Sequence, residues 1–210
     1  IAREALPEHL KSYPDRISEH TIQPEVNADR LGLDNRRERV LGIVTHRILE
    51  RLAAQSPLPL EKTNEITTWI RANTLKANLD KSDAEWVETR CTEMITNALQ
   101  CPMGRWILSS HSEAHSELEI TRIEDGEVRH YVIDRTFFDE KEGVRWVVDY
   151  KTSSPQTEED EESFKSREMM NYQAQLDTYA DLLKNYRWDA DAPIRTALYF
   201  PAIQALALRH

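Results

Sequence analysis

The chain has 210 residues, of which 40% are hydrophobic and 30% charged, and its formal net charge is -10. This composition excludes a collagen-like, low-complexity or wholly disordered protein and is typical of a globular domain with a substantial core. The negative charge argues against nucleic-acid binding by bulk electrostatics alone, since such binding depends on Lys and Arg that neutralise phosphates. It is compatible with carboxylates that surround a divalent cation.

The sequence also bears on location and redox chemistry. It has no apolar run of the roughly 20 residues that a membrane-spanning helix needs, and its charged start does not resemble a secretory signal. We therefore expect a cytoplasmic protein with no membrane partner. Because the first residue is Ile rather than Met, we also expect a fragment of a larger chain. Cys91 and Cys101 are too few for a disulfide framework, a four-thiolate zinc site or an iron–sulfur cluster, and we predict two buried thiols.

The first half of the chain is predicted to be helical. Residues 1–34 mix prolines with scattered charges, and we expect an irregular N-terminal extension with at most a short helix near residues 5–12. A long helix is predicted to start at a cap on Asp34 or Asn35 and to end before Pro57. Its apolar stripe is Leu41, Val44, Ile48 and Leu52.

Two further helices are predicted at residues 61–77 and 82–99, the second with Ser82 and Glu85 as a capping box. The second half then alternates between strands and one more helix. The predicted strands are 117–123, 130–138, 144–152 and 197–202, and the helix is 163–185 after an acidic loop at 158–162. Short Gly-bearing turns join the first three strands, which predicts an antiparallel meander.

Carboxylates on neighbouring strands form the main candidate site. In the strand 144–152 the period of two places Asp149 and Lys151 on one face and Tyr150 on the other. This pair alone also fits an ordinary surface charge pair. Asp134, however, lies in an otherwise apolar strand, where an unpaired carboxylate is costly unless a partner or a metal holds it. Two such acids across a hairpin indicate a cation site.

The arrangement of an Asp, a short hairpin and Asp-x-Lys resembles the PD-(D/E)xK nuclease superfamily. The tetrapeptide 149–152, written DYKT, together with Asp134-Arg135, is more narrowly similar to the RecB/AddA branch. Further matches in the same order are Gly42 to His46 followed by Glu50, Ser116-Glu117-Leu118, and Tyr172-x-x-Gln175-Leu176-x-x-Tyr179. Tyr131 stands where that branch commonly has Gly, which we interpret as a local packing change.

The resemblance implies an α+β, restriction-endonuclease-like fold. Its core is a central mixed sheet with an antiparallel meander, flanked by helices and joined to an N-terminal helical region. We expect the nuclease domain to occupy residues 35–210 and to be part of a larger helicase-nuclease chain.

The resemblance also implies an enzyme, a Mg2+-dependent DNA exonuclease for which Mn2+ is an alternative metal. It would act in DNA recombination and repair on single-stranded DNA, with helicase domains of the same chain and a second subunit as partners. No Walker A loop occurs, so no ATP site is expected in these residues. The alternative is a degenerate nuclease fold that binds DNA or protein without catalysis, which the retained acids and Lys151 disfavour.

The resemblance assigns roles to individual residues. The catalytic residues are Asp134, Asp149 and Lys151. The metal ligands are His46, Glu117, Asp134, Asp149 and the backbone carbonyl of Tyr150, and the DNA-contacting residues are Arg135, Tyr172, Gln175 and Tyr179. Periodicity alone does not choose between Glu117 and Glu119, which it places on one face. It also leaves open a structural His46 and a hydrogen-bonded core pair of Gln175 and Tyr179.

Overall fold

The computed structural model describes residues 36–184 and 192–209. The predictions for residues 1–34, for the cap at Asp34 or Asn35 and for a helix end at Asn185 lie outside the described residues. The helices are α1 (Arg36–Ala53), α2 (Asn64–Lys76), α3 (Lys81–Gln100), α4 (Pro102–Leu108) and α5 (Glu161–Lys184). The strands are β1 (Ser112–Glu124), β2 (Glu127–Asp139), β3 (Val144–Tyr150), β4 (Ile194–Phe200) and β5 (Ala205–Leu208).

The strands form one mixed sheet in the order β1-β2-β3-β4-β5. β1, β2 and β3 are antiparallel neighbours, β3 and β4 are parallel, and β5 is antiparallel to β4. α5 lies in the crossover that a parallel pair requires. This mixed sheet with its meander and flanking helices confirms the predicted α+β fold class.

The two faces of β3 pack against different helices. Trp146, Val148 and Tyr150 belong to a large core that also contains residues of α1, α2 and α3. Val147, on the opposite face, packs with Tyr179 and other residues of α5. The sheet is therefore a middle layer, and the side chains that alternate along β3 enter two separate helical environments.

Local chemistry shifts several boundaries. The predicted capping box at Ser82 is wrong, because the N-cap lies two residues earlier, at Asp80, which accepts a hydrogen bond from the backbone N–H of Asp83 at 2.9 Å. α4 and β5 were not expected from the sequence, since elements of 7 and 4 residues carry too little periodicity. Both predicted buried thiols are confirmed.

Burial also governs the Cys91 thiol, whose pKa it raises to about 12. In the part of the chain that the structure describes, no helix combines the length and apolar character that crossing a membrane requires.

Two helical glycines differ sharply in their surroundings. A Cβ added to Gly104 would collide with the backbone carbonyl of Ala98 and the hydroxyl of Tyr199, and would lie 2.9 Å from the Cα of Ala98. A Cβ added to Gly42 would meet Thr152 Oγ1 at 3.8 Å, an ordinary contact. Close packing of α4 against α3 therefore requires glycine at 104, whereas α1 has room at 42.

We predict that Gly104→Ala lowers the free energy of unfolding by roughly 1–3 kcal/mol, the usual cost of overpacking. Gly42→Ala is the matched control and should raise it by up to about 1 kcal/mol, because Ala favours a helix over Gly. Urea denaturation followed by circular dichroism measures both. A Gly104→Ala protein as stable as the parent would contradict this packing.

Candidate active site

The site lies where β2 and β3 separate. Their ladder runs from Asp139 paired with Val144 to Arg135 paired with Val148. At the next position a side chain replaces the backbone hydrogen-bond acceptor of the ladder. Oδ2 of Asp134 accepts a hydrogen bond from the backbone N–H of Tyr150 at 2.6 Å. Asp134 is buried, so this bond fixes its carboxylate between the strand ends.

α1 contributes His46 to the same place. Its Nδ1 lies 3.4 Å from Oδ1 of Asp134, and its Nε2 lies 3.0 Å from the carbonyl oxygen of Tyr150. The imidazole also meets the Tyr150 ring edge-on, with centroids 5.8 Å apart. The first long helix is thus connected to the end of the sheet through one side chain.

Glu117 of β1 reaches the site from an unusual backbone conformation. Its neighbours Ser116 and Leu118 pair with Arg135 and Ile133, so Glu117 stands across from Asp134. Its φ of 48° lies in the left-handed region, which is strained for a residue with a side chain. Glu119 is exposed, and the structure therefore brings Glu117 rather than Glu119 to the cluster.

The ligand atoms of His46, Glu117 and Asp134 lie within 4.8 Å of one another. Carboxylate oxygens with one imidazole nitrogen suit a hard divalent cation such as Mg2+ or Mn2+. Burial, with the nearby Asp134 charge, raises the pKa of Glu117 to about 7. Crowded, desolvated carboxylates of this kind call for a compensating cation, so these residues fit a metal.

His46 and Asp134 have opposite shifts in pKa. Burial by itself would lower the pKa of His46, but the charge and hydrogen bond of Asp134 outweigh it and raise the pKa to about 9. Burial would raise the pKa of Asp134, but His46 and the Tyr150 N–H keep it below its usual value. Without a metal, the imidazolium therefore supplies the positive charge of the cluster.

Asp149, a predicted ligand, is not one of these three residues. Its carboxylate is buried and faces α5, where Lys151 Nζ lies 2.7 Å from Oδ2 and Gln175 Nε2 donates to Oδ1 at 3.2 Å. Oδ2 has this ion pair but no hydrogen bond of good geometry among the described residues. Burial raises the pKa of Asp149 to about 6 against the opposing effect of Lys151.

Lys151 is surrounded by α5 as well as by Asp149. Its ammonium lies 3.7 Å from the centroid of the Tyr172 ring and 3.5 Å from Oε1 of Gln175. Burial opposes its charge, but Asp149, together with Tyr172, raises the pKa of Lys151 above its usual value. The side chain is therefore held as a cation.

The Gln175 and Tyr179 pair lies on the face of α5 turned toward the sheet. Gln175 Nε2 donates to the Tyr179 hydroxyl at 2.7 Å in addition to its bond with Asp149. Tyr179 is only 3% exposed, whereas Gln175 is partly exposed. Gln175 therefore connects the buried Tyr179 to the predicted catalytic strand.

Arg135 does not join the other predicted residues. It is buried, and its guanidinium donates to the carbonyls of Ile107 and Ser109 at 3.2 and 2.8 Å and to Ser116 Oγ at 3.1 Å. These bonds hold the end of α4 against the sheet. The geometry gives Arg135 a structural position instead of the predicted place at a DNA surface.

The sequence reasoning missed Glu168, which lies on the same stripe of α5 as Tyr172 and Gln175. Glu168 is buried, and its Oε2 accepts a hydrogen bond from Ser153 Oγ at 2.7 Å. The bond attaches the segment after Lys151 to α5. The spacing of four residues between Glu168 and Tyr172 was the available signal.

Comparison with known families gives one match, and comparison with curated proteins gives none. Residues 16–206, most of the chain, match the PD-(D/E)XK nuclease superfamily. The matched range includes all the residues of the site described above. The chain therefore belongs to the PD-(D/E)XK nuclease superfamily.

Proposed function

We propose that the chain is a Mg2+-dependent deoxyribonuclease that hydrolyses phosphodiester bonds. Membership of the nuclease superfamily suggests nuclease activity, and a nuclease fold implies DNA as substrate. The observation that supports the proposal most is the position of the cluster of His46, Glu117 and Asp134 beside the pair of Asp149 and Lys151. A cation site and a fixed ammonium at one strand end are the parts that phosphodiester hydrolysis needs.

In this proposal His46, Glu117 and Asp134 hold the metal, with the carbonyl of Tyr150 beside them. When bound, the metal supplies Lewis-acid polarisation of the phosphate and lowers the pKa of a coordinated water. Asp149 orients Lys151 through their 2.7 Å ion pair and would complete the ligand set when the metal binds.

Lys151 acts in the proposal as a charge-stabilising residue. Because its pKa is raised, it carries a proton at neutral pH and is poorly suited to take one from water. A fixed ammonium instead offsets the negative charge that develops on the phosphorane and can donate a proton to the leaving oxygen. Tyr172 and Gln175 keep it in position from α5.

Tyr172 and Gln175 are the proposed DNA contacts, whereas the buried Tyr179 holds Gln175 in place through their hydrogen bond. Their shared helix face lies directly beside Lys151 and Asp149, so a strand whose phosphate reaches Lys151 also reaches this face. Arg135 is left out because its guanidinium is buried in bonds to the α4 region.

The finer proposal is an exonuclease domain over residues 35–210 within a RecB/AddA-like helicase-nuclease of DNA recombination and repair. The order of motifs from Gly42 to Tyr179 supports it. Helicase domains of the same chain, and a second subunit, would deliver single-stranded DNA to a domain of net charge -10 that has little electrostatic affinity of its own. A non-catalytic module remains the alternative, and the intact Asp149 and Lys151 argue against it.

We predict that Asp134→Asn and Lys151→Gln both reduce cleavage of single-stranded DNA by at least about 100-fold. Asp134→Asn should also abolish the rise in Tm that Mg2+ gives the parent protein, since binding to the folded site stabilises it by mass action. Lys151→Gln should keep that rise, because Lys151 does not hold the metal. Gel assays with Mg2+, Mn2+ or EDTA and thermal melts measure these effects.

The exposed residues Glu119 and Lys141 provide matched controls. Glu119→Gln removes a negative charge, as Asp134→Asn does, and Lys141→Gln removes a positive charge, as Lys151→Gln does. Both controls should leave cleavage and the Mg2+ effect on Tm unchanged. Full activity in Asp134→Asn would refute the proposed metal site. Metal-independent cleavage by the parent would refute the proposed mechanism.

Metal binding should release protons. His46, with a pKa of about 9, is protonated at pH 7.5 without metal, and Glu117, with a pKa of about 7, is partly protonated. Ligation needs both groups deprotonated, so Mn2+ binding should release about one proton at pH 7.5 and should tighten between pH 6 and 9. Calorimetric titration in buffers of different ionisation enthalpy gives the proton number.

Glu119→Gln serves again as the control and should release the same number of protons as the parent. A binding enthalpy that does not depend on the buffer would show that His46 keeps its proton when the metal binds. His46 would then not be a metal ligand.

A further inference from the structure

A cavity of about 190 Å³ lies between β2 and α5, adjoining the candidate active site. Residues 129–131 of β2 form one wall, and Ala174, Gln175, Thr178 and Tyr179 of α5 form the other. Its lining is mainly apolar. This cavity is smaller than the roughly 300–1,000 Å³ of pockets for drug-sized ligands, so it suits a single planar ring system.

Gln175 and Tyr179 belong both to this cavity and to the site. The amide of Gln175 donates to Asp149 at 3.2 Å and to the Tyr179 hydroxyl at 2.7 Å. One side chain therefore separates the cavity from the carboxylate that pairs with Lys151. The Gln175 side chain therefore lies between a ligand group in the cavity and the pair of Asp149 and Lys151.

The polar groups of the β2 wall already have partners. Arg129 Nε lies 3.3 Å from Glu124 Oε2, and the Tyr131 hydroxyl donates to the same oxygen at 2.9 Å. His130 Nδ1 is 3.0 Å from Thr121 Oγ1. With its cation neutralised by Glu124, the wall presents the aromatic surface of Tyr131, which favours a base over a phosphate.

We propose that the cavity receives an unstacked base of the nucleotide next to the scissile phosphate. This inference rests on the nuclease function proposed above and adds the position of a base to it. The base packs against the ring of Tyr131, with the Gln175 amide at its edge. Because a paired base is held in the duplex, the cavity selects single strands or frayed ends.

The experiment compares two oligonucleotides and three proteins. One substrate is an ordinary single strand, and the other carries abasic nucleotides throughout its central segment with the phosphodiester backbone intact. Ala174→Leu places a larger side chain in the cavity, and Asn171→Leu adds the same side chain to an exposed position of α5 outside the cavity. The readouts are kcat/KM with Mg2+ and binding of both strands with Ca2+ by fluorescence anisotropy.

In the parent and in Asn171→Leu, the ordinary strand should exceed the abasic strand by roughly 5- to 100-fold in kcat/KM and in affinity, the range of base stacking on aromatic side chains. In Ala174→Leu the ordinary-to-abasic ratios of kcat/KM and of affinity should both fall close to one. Mg2+ should still raise the Tm of this variant as it does that of the parent. Equal ratios in Ala174→Leu and Asn171→Leu would overturn the proposal, as would a parent ratio near one.

The two proposals fail in different ways. If the parent cleaves both strands equally, the nuclease function stands and the base pocket is refuted. If the parent cleaves neither strand but binds the ordinary strand better in a way that Ala174→Leu removes, the base pocket stands and the nuclease function is refuted.

Discussion

The hydrogen bond from the Tyr150 N–H to Asp134 holds the candidate site together. At this point β2 and β3 part, and a side chain takes over the pairing that backbone groups provide elsewhere. A buried backbone N–H needs a partner, so Asp134 serves the fold while its other oxygen faces His46. Removing this carboxylate would therefore disturb the strand end and the charge cluster together.

Two groups of charged side chains lie near that bond: the cluster of His46, Glu117 and Asp134, and the pair of Asp149 and Lys151. The acids near His46 need a cation, whereas Asp149 already has Lys151 as its counter-ion. α5 is the crossover between the parallel strands β3 and β4, and this connection brings Gln175 and Tyr172 onto Lys151. Because each group of carboxylates has its own positive charge, several carboxylates can share one buried region.

Periodicity predicted the parts of the site that lie on regular backbone. Asp149 and Lys151 were expected on one face of their strand, and their side chains are 2.7 Å apart. The period of two could not separate Glu117 from Glu119, because the positive φ at Glu117 interrupts the alternation. The resemblance indicated a DNA contact for Arg135, whereas its hydrogen-bond partners lie at α4, a seven-residue helix that periodicity did not indicate.

The parallel pairing of β3 with β4 has a consequence for synthesis on the ribosome. The backbone N–H of Lys151 donates to the carbonyl of Tyr199, so the strand that carries Asp149 is completed only by a segment made much later than His46. At about 5–20 residues per second, α1 waits on the order of ten seconds for these partners. In a nascent chain, the strand that carries Asp149 therefore lacks its parallel neighbour until β4 has emerged.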